Sequence, residues 1–176
     1  MPKPGVIDIR LSDLRQLFNS LDPAPFHEKD LDRDAEEYIA GSADEFSPGT
    51  PLELVIHLPT TQVGGATRSD VPRAVHNYFA YREEEQTRRI RFELRQGRAA
   101  LAIGLAFLAI CMVLRQIAGS LPYPPLQETF RESLLILGWV AMWRPLQIFL
   151  YDWWPLRHYA ALYRKLARMP VHVLPF

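Results

Sequence analysis

The chain has one cysteine, Cys111, among 176 residues, and its 20 basic residues are balanced by 20 acidic ones. A single cysteine excludes an intramolecular disulfide framework and a thiolate cluster for structural zinc. Zero net charge supplies no bulk basic field, so nucleic acid is not an expected partner. The five histidines (His27, His57, His76, His158 and His172) show no HxxxH, HxH or HExxH spacing. Gly64-Gly65 lies between a strand pattern and a helix pattern, but the chain has neither GxGxxG nor GxxxxGK, and no nucleophile elbow. The acidic run from His27 to Glu37 alternates Asp30, Asp32 and Asp34 like a calcium loop. It then has Ala35 where such a loop needs glycine and Gly41 where it needs glutamate. No catalytic residue, cofactor or metal is assigned on these grounds. The opening MPKPGVIDIR lacks the apolar core of a cleavable signal peptide, so none is expected.

What the chain has is charge segregation. Residues 1–80 carry 13 acids and 7 bases, an acidic head. Residues 81–98 carry six arginines and four glutamates, a basic helical connector. Residues 99–156 are mostly apolar with three arginines and three acids, and residues 157–176 hold four bases and no acid. These four stretches are the expected domains: an acidic cytosolic α/β domain, a connector, a two-helix transmembrane hairpin and a basic cytosolic tail helix.

Ala99 to Leu114 contains no charge. With Gln116 to Gly119 it reaches about 20 residues, enough for ~30 Å of hydrocarbon at ~1.5 Å per residue. A second span is expected from about Ser133 to Trp154, interrupted by Arg144, Pro145 and Gln147. Trp143, Tyr151, Trp153 and Trp154 suit a membrane–water boundary, where amphipathic rings collect. Small residues mark candidate helix-packing faces: Ala102, Ala106 and Ala109 beside Gly104 on the first span, Gly138 and Ala141 on the second. Bases crowd both outer flanks, whereas the stretch from Gln116 to Glu132 holds only Arg131. The positive-inside rule then sets both termini in the cytoplasm and the Pro122-Tyr123-Pro124-Pro125 loop outside. The lipid bilayer is the first expected partner, and the flanking bases suit anionic head groups.

Arg144 admits two readings. A charge inside a span is costly, so it either pairs with an acid, such as Asp152 two turns on, or snorkels from a span that ends near Trp143. Pro145 frees a carbonyl one turn back, near Ala141, in either case.

In the head, VIDIRL (Val6 to Leu11) alternates as a half-buried strand, and LELVIHL (Leu52 to Leu58) is the strongest strand pattern. Leu14, Leu17, Phe18 and Leu21 follow Ser12 at helical spacing. A second helix is expected from Asp34 to about Phe46, and a third from Ser69 or Asp70 with Pro72 in its first turn. Glu84–Arg88 and Glu85–Arg89 support that third helix, which has no stop signal before the first span. The expected fold class is therefore α+β, a β-α-α-β-α domain continuing by one long helix into a helical hairpin. Two strands are too few for an independent sheet, which leaves room for a further strand, a subunit interface or a covering helix. The tail places Tyr159, Leu162, Tyr163 and Leu166 on one stripe, the pattern of an in-plane or head-packing helix.

LFNSLDPAPFHEKDLDRDAEEYI (Leu17 to Ile39) and GWVAMWRPLQIFLYDWWP (Gly138 to Pro155) resemble a group of uncharacterised bacterial inner-membrane proteins with a small N-terminal cytosolic domain and two spans. The resemblance implies that layout and a bacterial inner membrane, with no activity attached. The function expected first is a membrane-anchored interaction module, an accessory or scaffold subunit that self-associates or docks on a membrane complex. Phe18, Phe26, His27 and Tyr38 are its candidate contact residues. An oligomeric channel or transporter with Arg144 near the path is the alternative, and a membrane-tethered metal or ligand sensor is the third.

Overall fold

The structure, a computed structural model, describes residues 4–19, 29–120 and 123–176. It is mostly helical, with long helices and one three-stranded parallel sheet. The elements in chain order are β1 (Gly5–Arg10), α1 (Arg33–Asp44), β2 (Leu52–Leu58), α2 (Gly65–Ala118), α3 (Pro124–Ala141), α4 (Trp143–Gln147), α5 (Trp153–Leu166) and β3 (Val171–Pro175). A π-helical turn, Ile148–Asp152, joins α4 to α5. The chain divides into two compact units, residues 1–86 with 158–176, and residues 87–157.

The first unit, the head, is organised by its sheet. β1 and β3 flank β2, both parallel to it. The missing strand is therefore supplied by residues 171–175, and the tail belongs to the head. Parallel neighbours need a crossover. α1 provides the first. The second runs from Leu58 to Val171 and contains everything from α2 to α5.

Inward residues of the sheet (Ile7, Leu52, Leu54, Ile56, Leu58 and Val173) meet Ile39 and Ala43 of α1, Val71, Val75 and Phe79 of α2, and Leu162 and Leu166 of α5. Phe79 is fully buried, and cutting it to alanine would cost about 3–5 kcal/mol.

Over the described residues Ser12 to Asn19 the expected helix is not formed, and Leu21 lies outside the described residues. Leu14–Gln16 makes a single 3-10 turn in which Asp13 caps Arg15 and Gln16 reaches back to the amides of Ser12 and Asp13. Leu17 and Phe18 then enter the core, and Phe18 pairs with Leu31 in an antiparallel bridge. Leu17 is buried from the end of the 3-10 turn and Phe18 from the bridge that follows it, so a single turn is enough to bring both inside. α1 begins at Arg33, because Asp32 takes the cap position and accepts the Asp34 amide at 3.0 Å. α2 begins at Gly65, about a turn before the expected caps, so Pro72 lies inside it.

The second unit is a helical hairpin. Its connection is far shorter than the expected loop from Gln116 to Glu132, since α2 persists to Ala118 and α3 starts at Pro124. Proline at a first helical position has no amide to waste, so Pro124-Pro125 opens a helix rather than extending a loop.

Candidate functional site

Three places in the fold concentrate polar chemistry. The first is in the head, where α1, α2 and α5 meet. Glu36 accepts hydrogen bonds from Tyr78 Oη at 2.6 Å, Arg82 Nε at 2.7 Å and Tyr163 Oη at 3.1 Å. Arg82 also reaches Glu85 at 2.6 Å and lies over the Tyr163 ring. The Glu36 side chain is only 12% exposed.

Burial, and then the hydrogen bond and charge of Glu36, push the Tyr78 phenol well above its ordinary range. Burial, and then the Glu36 charge, raise Tyr163 in the same direction. Burial works against the Arg82 guanidinium, but Glu36 outweighs it and keeps the charge in place. Three of the roughly four acceptor positions of this carboxylate are taken, so Glu36 ties three helices together and has no free role as a base. Sequence reading missed it, because its partners lie on α2 and α5 and no local spacing links them to α1. An open cleft of about 560 Å³ adjoins the tie. Its rim is paired as well, Arg33 with Glu37 at 3.0 Å and Asp44 with His158 at 2.5 Å.

The second place is the outward face of the sheet. Val6, Asp8 and Arg10 of β1, Glu53, Val55 and His57 of β2, and His172 and Leu174 of β3 alternate with the core residues and are half-buried or exposed. Asp8 meets His57 at 3.2 Å, and the Arg10 guanidinium covers the Phe176 ring at 4.1 Å. Among the described residues no helix packs on this face. Parallel sheets are ordinarily covered on both sides.

Of the sequence candidates, Tyr38 is 53% exposed and donates to the Asp8 carbonyl at 3.2 Å. Phe18 is a core residue and presents no surface. Phe26 and His27 lie outside the described residues.

The third place is the hairpin. Two helices are long and apolar enough to cross a membrane, and only 17% of the most apolar window of each is buried. A core helix of a water-soluble protein would be mostly covered. Here Ile103, Ile110, Ile117, Ile136, Trp139 and Val140 all face outward.

The seam between the helices recurs every seven residues on α2, at Gly97, Gly104, Cys111 and Ala118, all buried. That is the period of paired, slightly supercoiled helices. A Cβ at Gly97 would lie 2.7 Å from Ile148 Cγ2, one at Gly104 3.0 Å from the Ala141 carbonyl oxygen, and one at Gly138 2.6 Å from Leu108 Cδ1. Gly138 and Ala141 thus sit at the seam, while Ala102, Ala106 and Ala109 are exposed on another face.

Pro145 has no amide for the Ala141 carbonyl, α3 ends at that residue, and Gly104 passes close to the freed oxygen. Arg144 bonds Asp152 at 3.3 Å, across the π-helical turn. Trp153 satisfies the Phe149 carbonyl at 2.7 Å and stacks under Arg157. Trp143, Tyr151 and Trp154 are exposed.

Gly97 opposite Ile148 and Gly104 opposite Ala141 fix an antiparallel register. It sets Arg144 level with Leu101, three residues or about 4.5 Å along the helix from Arg98. Among the described residues no group of three or more His, Cys, Asp or Glu is arranged to hold a metal ion. A scan of protein families and searches of curated proteins and of solved structures find no match to this chain.

Proposed function

We propose that this protein is a membrane-anchored interaction module, an accessory or scaffold subunit that self-associates through its head, with the hairpin in a bacterial inner membrane and both termini in the cytoplasm. The observation that carries the reading is the parallel sheet, whose helices among the described residues pack on one face. Its open face mixes apolar positions (Val6, Val55 and Leu174) with acids and bases. Glu53 lies toward the strand starts, Arg10 and His57 lie toward the strand ends, and Asp8 is level with Val55 at the middle. A second copy turned end for end lays Glu53 of each face toward Arg10 of the other and Val55 toward Val55, so the face complements itself. The outward-facing apolar side chains of the hairpin and the bases on its two outer flanks support the membrane placement.

Mass photometry of the tagged protein, extracted gently in detergent at native abundance, tests the reading. A dimer is expected, and Val55→Glu with Leu174→Glu should convert it to monomer without unfolding the head. A larger complex with other chains would make the face a contact for a membrane partner, and a strict monomer without companions would overturn the proposal.

A further inference from the structure

The hairpin carries a crevice of about 410 Å³ lined by Ala100, Gly104 and Phe107 of α2, with Ala141, Arg144 and Pro145 opposite. Its walls are almost wholly apolar apart from Arg144. Small residues at 100, 104 and 141 and the end of α3 create the hollow, which is open to the surroundings of the hairpin.

At its rim, Arg144 is 55% exposed and Asp152 is 27% exposed. Their contact, at 3.3 Å, is longer than the ~2.7–2.9 Å of a tight charge-assisted bond. It engages one of the five N–H donors of the guanidinium. The pair is loose, and most of the donor capacity of Arg144 points elsewhere. The register adds the second element, since Arg144 lies about one turn from the level of Arg98, the last base before the uncharged stretch of α2.

We infer that this crevice is a binding site for an anionic phospholipid. One acyl chain lies along Ala100, Gly104, Phe107 and Pro145, and the phosphate meets the guanidinium of Arg144. The inference rests on the membrane placement proposed above. The shape and polarity suit a lipid better than a helix, because an apolar partner helix would leave the exposed donors of Arg144 unpaired in hydrocarbon. An anionic head group answers them, and the acyl chain fills the apolar hollow beside them. Asp152 competes with the phosphate for the same guanidinium.

The test uses the full chain reconstituted in vesicles of equal phosphatidylglycerol and phosphatidylcholine, followed by flotation and by native mass spectrometry of the protein released from them. Wild type should float and should retain phosphatidylglycerol over phosphatidylcholine by roughly fivefold, the factor for one well-placed base at the surface. Arg144→Gln should abolish the preference. Ala100→Phe, which fills the crevice and leaves Arg144 intact, should reduce retention of either lipid. Asp152→Asn should raise the preference, a direction that general loss of structure does not give. Equal retention of the two lipids by wild type, a preference unmoved by Arg144→Gln, or retention unmoved by Ala100→Phe would overturn the site while leaving the membrane placement standing. A chain that fails to float would overturn both.

Discussion

The head and the hairpin are built largely of the same material, helices joined by short connections, yet they are packed in opposite senses. In the head Phe79, Leu54 and Ile56 are inside, and acids and arginines form the surface. In the hairpin the seam belongs to Gly97, Gly104 and Cys111, while isoleucines, leucines and tryptophans face out. The head places its large side chains at the helix contacts because water drives them there. The hairpin places its smallest residues there, which agrees with the membrane placement proposed above: lipid offers no such drive, and close backbone approach is then the source of cohesion. The two units also treat charge differently. The head surrounds the nearly buried Glu36 with three donors, whereas the hairpin leaves the exposed Arg144 with one long contact.

The comparison can be broken most severely at β3. A variant ending after Met169 leaves β1 and β2 alone, and a two-stranded sheet is not independently stable. Amide hydrogen exchange should show β2 losing all protection, while the truncated chain still floats with membranes. Glu36→Ala comes next. It strands two phenols at a crowded helix junction, leaves Arg82 with Glu85 alone, and should cost the head about 3 kcal/mol, read as faster exchange in β2, with no change in flotation. In the hairpin, Gly104→Val forces a side chain against the Ala141 carbonyl, where backbone cannot yield, and should cost about 1–3 kcal/mol. Ala106→Val, on an outward face, should cost little by the same measure, the separation of cysteine probes across the hairpin.

The smallest effect sharpens the polar contrast by pH. Tyr78 and Tyr163 are held protonated above the usual phenol range, so their contribution is complete below about pH 10, the unfolded value, and is lost as pH climbs above it. Exchange in β2 should accelerate above that point. Tyr78→Phe should flatten the profile at a cost of about 1 kcal/mol in neutral solution.

Much of this was legible because it is local. LELVIHL alternates and forms β2, and the collar of α2 has no stop signal and continues as helix. The uncharged stretch from Ala99 to Leu114 falls within a helix able to cross a membrane. What was not legible depends on distant partners. Val171-His172-Val173 is too short, and too close behind a basic helix, to read as a strand. It becomes one because β2 has a free edge. Leu17 and Phe18 have helical spacing, but the helix stops after one 3-10 turn at Leu17, and Leu31 pairs with Phe18 in a bridge. The Glu36 tie joins residues from three helices, so no spacing rule reaches it. The packing stripe on α2 hid for a related reason. Alanines at 102, 106 and 109 look like a seam, but the seven-residue recurrence of Gly97, Gly104, Cys111 and Ala118 is what meets the partner helix.

The second crossover of the sheet has a consequence for the order of assembly. β1 and β2 leave the ribosome first, the hairpin follows, and β3 comes only afterwards. Throughout that interval β2 has an open edge, the kind of surface that invites wrong pairing. The nascent head therefore has a vulnerable period that lasts as long as the hairpin takes to be made. β3 acts as the latch that ends it, closing the sheet only after the chain has passed through its most apolar segment.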